Sequence, residues 1–231
     1  MPSIKKILHF ISSALVTSVA VALLVFAMTD SWSTISLDCS RPGNATNDGS
    51  AAVGLMLFEV AIVRVSCPTF GGTDSFEVFP TLMEIEGPYA TLHGLVLGLL
   101  ALCLLCSAGS ILISLYNSVS NPYETYMGPV GIYVCSSISA CVALLVIIVF
   151  VVNVLATNMP EELVKYSVQG LQMELTNKTA EMLVGFYLVI PYIVLSLGAI
   201  VLIYLYDHAA YTHRREQQKP TEDAPKEIMM Y

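Results

Sequence analysis

Residues 87–160 read GPYATLHGLVLGLLALCLLCSAGSILISLYNSVSNPYETYMGPVGIYVCSSISACVALLVIIVFVVNVLATNMP, and the only formal charge among them is Glu124. A bilayer core is about 30 Å thick and a helix rises about 1.5 Å per residue, so one crossing takes about 20 apolar residues. The stretch is too long for one crossing and suits two, joined by a tight turn around Glu124. Asn117, Asn121, Pro122, Gly128, Pro129 and Gly131 supply that turn with residues that end helices, through a missing donor or tolerance of positive φ. The reading places spans at about 92–116 and 130–156.

Outward from this pair, the chain is again free of charge over 7–29 and over 182–206, which predicts a first and a fourth span. Pro191 should bend the fourth, because it removes one backbone bond and its ring clashes with the preceding turn. Lys5 and Lys6 ahead of the first run are in the order of a secretory signal. The run is longer than the apolar region of such a signal and no clean small-x-small cleavage site ends it, so it reads as a span. Composition agrees: 55% of the 231 residues are hydrophobic and 12% charged, against about a quarter charged in soluble domains. The expected fold is an all-α membrane fold, a four-transmembrane-helix bundle, with outer loops at 30–91 and 157–181 and a disordered cytoplasmic tail at 207–231.

Charge sets the orientation. Lys and Arg concentrate on cytoplasmic flanks, and Lys5, Lys6, Arg214, Arg215, Lys219 and Lys226 flank the first and last spans, so both termini are expected inside. The outer loops hold the other four bases, Arg41, Arg64, Lys165 and Lys178, against twelve acids, which accounts for the whole net charge of −8. Such acidity argues against a nucleic-acid partner, whose phosphates call for clustered cations. Both Asn-x-Thr triplets, at Asn44 and Asn177, fall in the outer loops, where glycosylation occurs.

Cys39 and Cys67 share the first outer loop, an oxidising environment, and are expected to pair; closing that loop stabilises by about 3–4 kcal/mol in chain-entropy terms. Cys103, Cys106, Cys135 and Cys141 lie in the spans and read as small hydrophobes. Residues 34–37, 57–65 and 76–79 are β-branched and aromatic between Gly, Pro, Asn and Asp, which predicts a small extracellular antiparallel β-sheet in loop one. In loop two, Pro160-Glu161-Glu162-Leu163 reads as a helix start.

Reaction chemistry is not legible. His9 and His93 sit near span ends and read as interfacial or polar-contact histidines, and Asn153 reads as an interhelical tie. No metalloprotease, hydrolase, P-loop or dinucleotide motif occurs, so no enzyme, metal or cofactor is expected. Ala14, Ser18 and Ala22, then Gly94 and Gly98, then Ser136 and Ala140, are small residues at four-residue spacing. They serve packing within the bundle or association of two copies. The chain ends Glu227-Ile228-Met229-Met230-Tyr231, and Met229 and Tyr231 fit the alternating pockets by which PDZ domains take a C-terminal strand.

Several of these stretches resemble the clarins, small four-span membrane proteins: the opening Met1-Pro2-Ser3 with Lys5-Lys6, the run YNSVSNPYET at 116–125, GPVGIY at 128–133, and the final Tyr231. The resemblance covers the whole chain and is most specific in the turn between spans two and three. It implies a claudin-like tetraspan, and Trp32, Gly54-Leu55, Cys39 and Cys67 are similar to that plan. Claudins, however, carry Gly-Leu-Trp ahead of the first of a close Cys pair, whereas Gly54-Leu55-Met56 here lies between Cys39 and Cys67. A paracellular pore is therefore not carried over. The resemblance implies a non-enzymatic plasma-membrane organiser or adaptor, in contact with membrane lipids, a cytoskeletal or PDZ scaffold and a membrane-protein partner or second copy, with a role in sensory cells and hearing. The alternative is an auxiliary subunit of a channel or receptor complex.

Overall fold

The computed structural model describes residues 4–40, 49–67, 71–85, 87–119, 128–168 and 173–218. In chain order the elements are α1 (Ile4–Thr29), β1 (Ser31–Ser40), β2 (Gly49–Met56), β3 (Glu59–Val65), β4 (Gly72–Glu77), α2 (Val78–Glu84) and α3 (Pro88–Val119). There follow α4 (Pro129–Leu155), α5 (Met159–Ser167), β5 (Glu174–Met182), α6 (Val184–Tyr187) and α7 (Val189–Gln218). Four helical segments, 6–29, 88–119, 129–155 and 184–209, are long and apolar enough to cross a membrane. The protein is a multi-pass membrane protein. α3 packs on α4, α4 on α7, α7 on α1 and α1 on α3, closing a four-helix ring.

Span three begins with Pro129 in the first turn, where its missing donor costs nothing. Span four is interrupted at Leu188, and Pro191 sits in the first turn of α7, where its ring excludes the Tyr187 carbonyl. The expected bend is thus a break one turn earlier. α7 then continues to Gln218, which corrects the expectation of disorder from residue 207 for the part up to 218. Ala209, Ala210, Arg214, Arg215, Glu216, Gln217 and Gln218 are strong helix formers, and extending a formed helix avoids the unfavourable nucleation step. The turn around Glu124 lies outside the described residues.

The sheet is five-stranded and antiparallel, ordered β4-β3-β2-β1-β5. Its first four strands come from loop one and its fifth from loop two, so it is not confined to loop one as expected. The run 57–65 is not one strand: β2 ends at Met56, Leu57 and Phe58 form the turn, and β3 follows in register from Leu55–Val60 to Ser50–Val65. At 76–79 the strand stops at Glu77, because Val78 opens α2, with its amide donating to the Phe58 carbonyl at 2.9 Å.

Alternation along the strands gives the sheet one buried face. Ile35, Leu37, Val53, Leu55, Val60 and Ile62 point inward and are buried. The joint between sheet and bundle is Trp32, one residue into β1. Its ring is fully buried, 4.8 Å from Phe150 of α4 and 6.4 Å from Phe186 of α6, and its Nε1–H donates to the Ala27 carbonyl at 2.7 Å. Every polar atom of the indole is thus satisfied in an apolar setting, as burial of Trp demands.

Candidate interaction surface

Cys39 and Cys67 form a disulfide, with Cα atoms 5.7 Å apart, both buried beneath the sheet. It ties the end of β1 to the residues just after β3, so the three central strands are covalently closed. Hydrophobic residues face the bundle, and the opposite face carries Thr34, Ser36, Asp38, Ser50, Ala52, Gly54, Glu59, Ala61, Val63, Thr73, Ser75 and Glu77. This is a hydroxyl-rich surface with acids at its border. Glu59 and Glu77 are direct cross-strand partners, a like-charge pairing that opposes the sheet unless a counter-charge is near.

The β5 edge is irregular. Ser36 pairs with Thr179 and Asp38 with Thr176, leaving one residue of β1 opposite two of β5, Asn177 and Lys178. This is a β-bulge, and Asn177 takes φ 51°, a conformation for which Asn is among the better-suited residues. The extra residue changes the alternation. Asn177 faces out and donates through Nδ2 to Asp38 at 2.9 Å, while Lys178 turns inward, donating to the Thr157 carbonyl at 2.9 Å and pairing with Glu161 at 3.3 Å. Asn177 is accessible at the sheet edge; Asn44 lies outside the described residues.

At the other edge, Arg64 of β3 points inward and pairs with Asp74 of β4. α5 and α2 lie against this region. Phe76 and Tyr166 meet edge to face with centroids 5.7 Å apart, and the Tyr166 hydroxyl donates to Glu84 at 2.8 Å. That bond and the Glu84 negative charge hold the Tyr166 phenol above its ordinary value. His93 is fully buried on α3, and its Nε2 meets the Leu57 carbonyl at 2.8 Å. It therefore fastens the β2–β3 turn to the bundle. Asn153 ties two helices, though not two spans: it is buried two residues from the end of α4, and its Nδ2 reaches Sδ of Met159, the first residue of α5, at 3.3 Å.

Of the small residues, Ala14 is buried, Ser18 and Ala22 are exposed, and α1 turns Ser13, Thr17, Ala20, Leu24 and Ala27 inward instead. Gly94 lies under the Phe79 ring, Gly98 has no atom beyond its own helix close by, and Ser136 and Ala140 are buried. The bundle interior holds a hydroxyl cluster. Tyr192 of α7 reaches Ser107 of α3 at 2.8 Å, bonds Ser139 of α4 and donates to the Cys103 carbonyl at 3.3 Å, and Ser110 meets Ser136 at 3.2 Å. The spacing of Cys103, Ser107, Ser110 and Ser114 on one helical face was a legible signal for it. Met229 and Tyr231 lie outside the described residues.

Residues 4–196 match the family described as Clarin-2-like. The chain belongs to the clarin family. Curated clarin relatives align over their whole length and over the whole of this chain: Clarin-3 of Mus musculus is 31% identical over 236 residues and Clarin-3 of Homo sapiens 30% over 246. Clarin-3 of Rattus norvegicus is 29% identical over 245.

Proposed function

We propose that this clarin is a non-catalytic organiser of the plasma membrane, with both termini in the cytoplasm, the sheet outside, and Asn44 and Asn177 glycosylated. It acts by holding partners laterally and through its tail. The observation that carries the reading is the disulfide-closed sheet, joined to the bundle at the buried Trp32 and presenting a polar, acid-bordered face away from it. Twelve of the eighteen acids lie in the two loops that build this layer. A rigid, charged platform on four spans suits contact rather than turnover. Kinship with the clarins extends the proposal to sensory cells and hearing.

Affinity capture from native membranes tests it, comparing the full chain with one lacking Met229–Tyr231. Enrichment of PDZ or actin-linked scaffolds that disappears with the truncation supports the adaptor reading. Stoichiometric enrichment of a channel or receptor subunit, unchanged by the truncation, replaces it with the auxiliary-subunit reading. Ionic currents from the purified protein in liposomes would refute both.

A further inference from the structure

The two edges of the sheet are unlike. β5 is bent by its bulge and turns Lys178 inward, two devices that keep another strand from pairing. β4 has neither irregularity. It pairs with β3 without a shift from Glu59–Glu77 to Arg64–Gly72, and its inward Asp74 is neutralised by Arg64. Among the described residues no strand lies on its far side. Beside it is a cleft of about 680 Å³ lined by residues 73–76 and 166–168, with Phe76, Tyr166 and Val168 as its apolar part. A strand added to such an edge gains main-chain hydrogen bonds, and its alternate side chains are read by neighbouring pockets.

The charge around this edge selects the partner. Among the described residues, Asp74, Glu77, Glu59 and, through Tyr166, Glu84 gather here, and of these Asp74 is paired with Arg64. Glu59 and Glu77 stand directly opposite one another, so a cation placed beside them relieves repulsion already in the sheet. Pairing of β4 with β4 of a second copy would instead bring two sets of these acids together. We propose that the free edge of β4 receives an extended basic segment of a partner's ectodomain as a sixth strand, with one apolar side chain of that segment in the Phe76–Tyr166–Val168 cleft.

This rests on the sheet facing outward, as in the proposed function. Labelling of a Ser75→Cys variant on intact cells by a membrane-impermeant thiol reagent reports that placement separately. The docking test uses the full chain in nanodiscs and a short peptide of alternating lysine and valine with a benzoylphenylalanine at its centre. Saturable binding is expected, with photocrosslinks on residues 72–77 and 166–168. Replacing lysine by glutamate in the peptide, or Glu59→Gln with Glu77→Gln in the protein, should weaken binding at least about tenfold. N-methylating alternate backbone amides should abolish binding in one register and spare it in the other, which charge attraction alone would not do. Equal binding of both methylated peptides overturns the proposal, as do crosslinks on β5 or scattered over the acidic loops. Ser75→Cys dimers that exclude the peptide would assign the edge to a second copy and overturn it too.

Discussion

Gly185 lies so close to Trp32 that a β-carbon on it would stand 2.7 Å from the indole Cδ1. The next nearest atoms are backbone, the Ser31 carbonyl oxygen at 2.8 Å and that of Ala27 at 3.0 Å. Neither can swing aside, so α6 approaches the α1–β1 junction only because residue 185 has no side chain. Gly185→Ala should cost about 1–3 kcal/mol, the range for overpacking a well-filled core. The loss is read as a lowered Tm in detergent. Gly98→Ala, with nothing within 4 Å, should leave Tm unchanged or slightly raised, since Ala favours a helix over Gly.

The Cys39–Cys67 bond closes the strands that carry the hydroxyl-rich face. Its removal should cost about 2–5 kcal/mol. Cys39→Ser and the double Cys39→Ser/Cys67→Ser variant should melt alike, because both lose the same constraint. A double variant as stable as the parent would show that packing of Leu37, Val53 and Ile62 suffices without it.

At Asn177 backbone and sugar can be separated. Asn177→Gly and Asn177→Val both abolish the glycosylation triplet, but only valine is strained at φ 51°. A β-carbon-bearing, β-branched residue there costs about 1–2 kcal/mol more than glycine. The glycine variant should therefore melt higher than the valine variant when both are expressed without glycosylation. Equal melting would mean that the bulge relaxes and that Lys178 loses its inward contacts to Thr157 and Glu161.

The spans were legible because absence of charge over a bilayer's width is a strong signal, and span three begins and ends within one residue of its expected limits. The strands were legible only where β-branched residues mark them. β2, Gly49–Met56, is largely Gly, Ala and Ser and is a strand because β1 and β3 flank it. β5, with Glu, Thr, Asn and Lys, is likewise made by its partner β1. Gly185 gave no local signal: its role depends on Trp32, more than 150 residues earlier, and such a meeting is visible only in three dimensions. The tie made by Asn153 was legible but its partner was not, because a position two residues from a helix end, facing α5 rather than another span, could not be read from a uniformly apolar run.

The Tyr166–Glu84 bond gives a pH dependence with a definite sign. Glu84 raises the Tyr166 phenol above its ordinary value, about 10 for tyrosine. The contribution of this bond is whole below that ordinary value and is lost as pH rises through the raised one. Ultraviolet difference titration between the parent and Tyr166→Phe should show one phenol ionising late, and Glu84→Gln should bring it back toward the ordinary range. Late ionisation that survives Glu84→Gln would mean that Phe76 contact, not the carboxylate, governs it.

Within the bundle, Tyr192 has one hydroxyl proton and three neighbouring oxygens, on Ser107, Ser139 and Cys103. It donates to one and accepts from the serines, so its loss leaves two serines able to turn back to their own helix carbonyls. The coupling should therefore be small. A double-mutant cycle of Ser107→Ala and Tyr192→Phe is expected to give about 0.6 kcal/mol, the average for interhelical bonds in membranes, and no more than about 1.7. Phe150→Ala, which empties the space against Trp32 and Phe186, should cost about 3–5 kcal/mol. If the cycle exceeded the cavity variant, the bundle would be held by its hydroxyls rather than by the aromatic joint beneath the sheet.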